Sequence, residues 1–157
     1  MTIRNHNPGN VKQDPKNPWL GSTGMDERGH AIFSSEALGW RAFYRTLAAK
    51  WLAGKRTLRH IVESWAPASD TIGSIPGSPP NDPERYARFV ARETSLPHDA
   101  RLDLFDERGY PLDDTAILDI ARAMVKYEHG ADAEWSESQM YLGLAMYVHD
   151  WPERGRR

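Results

Sequence analysis

Residues 114–130 constrain the fold more than any other stretch of the chain. Ile117, Ile120, Ala121, Met124 and Val125 recur at the spacing of one helical face, and Gly130 supplies the stop. Weaker copies of this signature lie on either side. Ser34 is placed to cap a helix over residues 35–53, closed by Gly54, with Leu38, Ala42, Leu47 and Trp51 inward and Arg41, Arg45 and Lys50 toward water. A shorter helix over 57–65 stops before Ala66-Pro67. Asp82 followed by Pro83 opens another, lined by Tyr86, Phe89 and Val90. Residues 97–105 predict a short helix. A last helix begins at Ser136, where Gln139 completes a capping box, and runs to Asp150. One stretch reads as strand: a turn at Glu27-Arg28-Gly29 and the run His30-Ala31-Ile32-Phe33 predict a small hairpin over 25–33. The expectation is a mainly α protein, a single domain over residues 1–157, with a small β-hairpin near the N-terminus.

Several functions are disfavoured or excluded at once. The formal charge of the 157-residue chain is −2, so no basic footprint points to nucleic acid. The basic tail Arg154, Arg156 and Arg157 reads as a solvated end. There is no cysteine, which removes disulfides, thiolate nucleophiles and Cys-based zinc sites. The six histidines include no pair three or four residues apart, so no helical metal pair exists and no metal or cofactor is expected. Helices do not alternate with strands, and neither a phosphate-cradling Gly loop nor a nucleophile elbow is present. No apolar run reaches the ~20 residues of a membrane span, and no signal-peptide core precedes the domain. The chain is expected to be made in the cytoplasm without a signal peptide, as a monomer.

Two loops stand out. Residues 4–12 read Arg-Asn-His-Asn-Pro-Gly-Asn-Val-Lys, a turn-rich stretch in which three asparagines offer both donors and acceptors. Residues 67–81, rich in Pro, Gly and Ser, have no regular pattern and suit the rim of a site.

With nucleophilic and metal chemistry lacking support, carboxylates remain. Glycosidic cleavage uses two, one protonated to assist the leaving oxygen and one ionised. Glu36, in the first turn of a predicted helix, sits among N–H donors that favour its ionised form, and Glu27 on the hairpin turn is the candidate acid. Glu128, at the end of the apolar helix, competes with them. There apolar neighbours and the negative end of the helix dipole hold a proton on a carboxyl.

The motifs also follow one another in a set order. Residues 4–12 precede Trp19-Leu20-Gly21. Phe33-Ser34-Ser35-Glu36 leads to Gly39-Trp40-Arg41-Ala42, and Ile61-Val62-Glu63-Ser64 to Trp65-Ala66-Pro67. Asn81-Asp82 with Tyr86 comes next, then Ala123 through Glu128 and Gly130. In this order the chain resembles the lysozyme-like family of phage virion and lysis proteins typified by an Arg-Asn-Asn-Asn-Pro-Gly-Asn motif. It is similar, too, to muramidase domains of type VI secretion effectors. The resemblance implies a lysozyme-like helical fold that hydrolyses the glycan strand of peptidoglycan. It implies action in the periplasm or on the cell wall after release or delivery. It carries over Glu36 and Glu27 as catalytic residues, and gives Asn7 and Asn10 the task of lining the sugar cleft or bracing its floor. It also keeps Glu128 in view, because lysozyme-like enzymes place their acid at such a helix end. His6 replaces the usual Asn. The long loop over 68–80 is expected to alter access or to offer a surface to an immunity or inhibitor protein. The alternative is a non-catalytic virion or wall-binding module that keeps the fold.

Overall fold

A computed structural model describes residues 2–150, so the reading of the basic tail lies outside the described residues. The architecture is mainly helical with one small hairpin, as expected. Strands β1 (Ser22–Met25) and β2 (Ala31–Phe33) precede helices α1 (Glu36–Leu52), α2 (Leu58–Trp65), α3 (Pro83–Thr94), α4 (Asp114–His129) and α5 (Glu137–Asp150). Single turns of 3-10 helix lie at Arg4–His6 and Ile72–Ser74. The chain forms two compact units. Among the described residues, one combines residues 2–46 with residues 128–150, and the other is Leu47–Tyr127.

In the first unit the hairpin is longer than the sequence predicts, because β1 starts at Ser22 rather than Met25. Ser22 pairs with Phe33, Gly24 with Ile32 and Met25 with Ala31, and a bulge between Ser22 and Gly24 takes up the extra residue. The hairpin turn is closed by its own first residue. Asp26 Oδ1 accepts from the backbone N–H of Arg28 and of His30, both at 2.9 Å, and Gly29 takes φ +83°.

Helix α1 starts one residue later than the sequence suggests. Ser35, not Ser34, caps it, its Oγ accepting from Leu38 N–H at 3.3 Å. Ala37, Trp40, Ala42, Phe43 and Tyr44 are all buried, so in this unit the helix is apolar over most of its circumference. That overturns the expected outward placement of Arg41. Its side chain is 1% exposed and its Nε donates to Asp150 Oδ2 at 2.7 Å. Two glycines let backbones meet here. A Cβ at Gly39 would collide with the His6 carbonyl oxygen, and one at Gly143 of α5 would collide with Trp40 Cβ and stand 2.8 Å from the Ala37 carbonyl oxygen.

The second unit surrounds Trp51, whose indole N–H donates to the Leu102 carbonyl at 2.8 Å. Asp82 caps α3 as the sequence indicates, with Pro83 in its first turn, while Thr57, expected as the first residue of its helix, caps α2. Residues 97–105 correct the expected helix. Leu102 N–H donates to the Arg56 carbonyl at 2.8 Å, and the Leu104 carbonyl accepts from Leu112 at 2.8 Å, so these groups serve neighbouring segments. Arg101 and Asp103 are exposed while Leu102 and Leu104 are buried. That alternation has the period of extended chain, not of helix. Lys50 also departs from its expected place in water: its Nζ donates to Ser64 Oγ at 2.8 Å, and burial, with Lys55 nearby, holds the ammonium below the usual lysine range.

Asp-Glu-Arg-Gly occurs a second time at residues 106–109 and folds the same way. Asp106 Oδ1 accepts from the N–H groups of Arg108 at 2.8 Å and Tyr110 at 2.9 Å, with Gly109 at φ +87°. The four residues and the one after them are sufficient to set this turn in two different surroundings.

The close backbone approach at Gly143 yields a test. Gly143→Ala forces Trp40 or the helix to shift, an overpacking cost of about 1–3 kcal/mol. A thermal melt of the variant is expected to fall by several degrees, and an unchanged melt would show the contact to be loose.

Candidate active site

The opening loop gains its shape from Asn7, which is fully buried. Its Nδ2 donates to the carbonyls of Val11 and Ala31, both at 2.9 Å, and its Oδ1 accepts from Val11 N–H at 2.9 Å. Val11 in turn accepts from Ala31 N–H at 2.9 Å, so one carboxamide ties the loop to β2. Of the two tasks expected of Asn7, its side-chain geometry is that of a brace. Asn5 Nδ2 donates to Asp26 Oδ2 at 2.8 Å, and the His6 ring bonds the Phe33 carbonyl through Nδ1 at 3.0 Å. An imidazole N–H here can supply the donor that an asparagine amide would give.

The loop is strained as well as braced. Asn5, His6 and Asn10 have φ of 61°, 49° and 49°, in the left-handed region that asparagine tolerates better than most residues. Such backbone persists where surrounding bonds over-determine it, and it clusters at functional sites.

The end of α4 meets this loop. His129 bonds the Asn7 carbonyl through Nε2 at 2.8 Å, while Nδ1 accepts from Arg4 N–H at 3.4 Å, which selects the tautomer protonated at Nε2. Burial pushes the His129 imidazole below its ordinary pKa, and the bond to the Asn7 carbonyl only partly opposes that. One residue earlier, Glu128 is partly buried, and its Oε1 accepts from Asn10 Nδ2 at 2.9 Å. The same Nδ2 lies 3.4 Å from the Glu128 carbonyl oxygen. The structure therefore brings Asn10 to Glu128 across 118 positions of sequence.

The other two candidate carboxylates are engaged differently. Glu36 Oε1 accepts from Ser136 N–H at 2.7 Å and from the Trp40 indole N–H at 3.1 Å. Gln139 Oε1 accepts from Ala37 N–H at 3.2 Å. Each helix start thus takes a side chain from the other: Glu36 of α1 serves the cap of α5, and Gln139 of α5 serves the first turn of α1. The capping box expected at Ser136 is half local, since Ser136 Oγ still accepts from Gln139 N–H at 3.2 Å. Glu27 is exposed on the hairpin turn, as Glu107 is on the twin turn. Asp26 beside it is the carboxylate with local donors. Burial pushes Asp26 up, but the His30 backbone, the Asn5 amide and the Arg28 backbone together hold it below the usual carboxylate range.

The sequence reading missed His129 as a determinant of the loop. Its position next to Glu128 at a helix end was the available signal. Both lowered groups make the fold acid-sensitive. His129 binds its proton more weakly folded than unfolded, so its share of stability is complete above about pH 6.5 and lost as pH falls from there toward the lowered folded value. Asp26 acts later, its share being lost as pH falls below 3.8. His129→Gln keeps an amide donor for Asn7 and removes the first titration. Its melting temperature is expected to fall less than that of the parent between pH 7.5 and pH 5, and parallel curves would remove His129 from the account.

No protein-family model matches the chain. The chain is similar to Protein P5 of Pseudoalteromonas phage PM2, with 29% identity over 133 residues that span 81% of this chain and 74% of that protein. The comparison thus links the chain to a bacteriophage protein.

Proposed function

We propose that this protein hydrolyses the glycan strand of peptidoglycan and that Glu128 is its general acid. The observation that carries this reading is the bond from Asn10 Nδ2 to Glu128 Oε1 at 2.9 Å. It joins the most distinctive sequence motif to a carboxyl at the end of an apolar helix, and the strained loop around it is held by the side chains of Asn5, His6 and Asn7. The ordered resemblance to lysozyme-like proteins and the similarity to a phage protein support the same reading. A phage lysin, a virion lysozyme or a delivered antibacterial effector all fit it.

In the reaction, the protonated Glu128 gives its proton to the glycosidic oxygen as the bond to the anomeric carbon breaks. The Glu128 carboxylate left by that transfer then acts as the ionised partner. It takes the proton of the water that adds to the anomeric carbon and so regains its acid form. Glu36 and Glu27, the carboxylates first expected to do this, have other tasks in this reading. Glu36 joins α1 to α5, and Glu27 is a turn residue.

Purified peptidoglycan with muropeptide mass spectrometry tests the assignment. The parent is expected to release fragments with reducing muramic acid ends. Glu128→Gln is expected to lose about 10²–10⁴-fold in rate, the usual contribution of a general acid. Glu36→Gln and Glu27→Gln are expected to keep most activity, with Glu36→Gln lowering the melting temperature. An active Glu128→Gln beside a dead, folded Glu36→Gln would return the assignment to the hairpin-to-helix pair. A folded parent that binds the wall and cleaves nothing would make the protein a wall-binding module.

A further inference from the structure

Asn10 presents an unusual balance of polar atoms. It is only 9% exposed, and its Nδ2 meets Glu128 twice, at the carboxylate oxygen 2.9 Å away and at the main-chain oxygen 3.4 Å away. Its other polar atom, Oδ1, is buried with no hydrogen-bond partner. A buried acceptor without a donor is costly, and an apolar side chain would avoid that cost. The residue also sits at φ 49°, which few residues other than Gly, Asn and Asp tolerate. Both penalties fall on a side chain that touches Glu128 from the opening loop.

We infer that Asn10 is a positioning residue for Glu128, fixing its rotamer and selecting which carboxyl oxygen carries the proton. An N–H donor seeks the carbonyl-type oxygen of a neutral acid and either oxygen of the ionised form. Asn10 can therefore hold Oε1 in both states, leaving the transferable proton on Oε2. A single nitrogen reaching both the carboxyl and the main-chain oxygen of one residue draws the side chain toward its own backbone. This inference rests on Glu128 as the acid, but it can be read independently of activity.

Two variants keep the backbone conformation. Asn10→Gly removes the side chain, and Asn10→Asp replaces the donor with a second carboxyl. Asn10→Gly is expected to lower kcat by about 10²-fold, the size of effect that a misplaced catalytic group produces, with KM little changed. In Asn10→Asp two carboxyls share the contact. The Glu128 carboxyl carbon, followed by NMR in glutamate-labelled protein and assigned by its loss in Glu128→Gln, is then expected to titrate about one pH unit or more above the parent. If Glu128→Gln proves active, the NMR shift still decides whether Asn10 controls this carboxyl. Unmoved titration in Asn10→Asp, or full kcat in a folded Asn10→Gly, would overturn the inference.

Discussion

The buried carboxamide of Asn7 is the constraint from which the first unit is organised. It satisfies three backbone groups, two on Val11 and one on Ala31. Without it the Val11 carbonyl would keep only the Ala31 N–H, and the Val11 N–H would lose the carboxamide oxygen it donates to, a loss of about 1–3 kcal/mol for a buried group left unsatisfied. Its main-chain oxygen receives His129, so the same residue joins loop, hairpin and helix end. Only with that frame in place does Asn10 stand opposite Glu128. The polar skeleton comes before the candidate chemistry, and the place of Asn7 in the loop is explained by the backbone groups it bonds.

The helix starts obey a related logic. Helices leave their first N–H groups without internal partners, and most proteins supply a local cap. Here α1 and α5 keep local caps at Ser35 and Ser136 and exchange side chains as well, Glu36 reaching Ser136 and Gln139 reaching Ala37. With Gly143 admitting the Trp40 backbone side, the contact specifies one mutual alignment of these helices rather than a general apolar stickiness. A mutation at Glu36 therefore acts on both helices at once.

Much of the fold was legible because it is written locally. The stripe Ile117, Ile120, Ala121 and Met124 is buried as its spacing demands, and Asp82 and Gly54 act where capping rules put them. What local rules could not reveal was set by distant partners. Arg41 has the composition of a surface residue, but Asp150 and the buried flank of α1 take it inside. Residues 97–105 contain enough apolar side chains for a helix, yet their period and their bonds to Arg56 and Leu112 make them extended. The candidate site divides the same way. Asn7, Asn10 and Glu128 were each visible as residues, but which carboxylate Asn10 touches depends on a contact that no spacing in the sequence encodes.

The discontinuous first unit has a consequence for synthesis. Its N-terminal part ends at Thr46 and its complement starts at Glu128. A ribosome adding about 5–20 residues per second needs roughly 6–24 s to cover the 118 positions between Asn10 and Glu128. Through that interval the opening loop has no helix end to rest on, while Leu47–Tyr127 can already gather around Trp51. A truncated product that stops before Glu128 would carry the asparagine motif yet lack its counterpart. Whatever this pairing does is confined to chains that have passed that point.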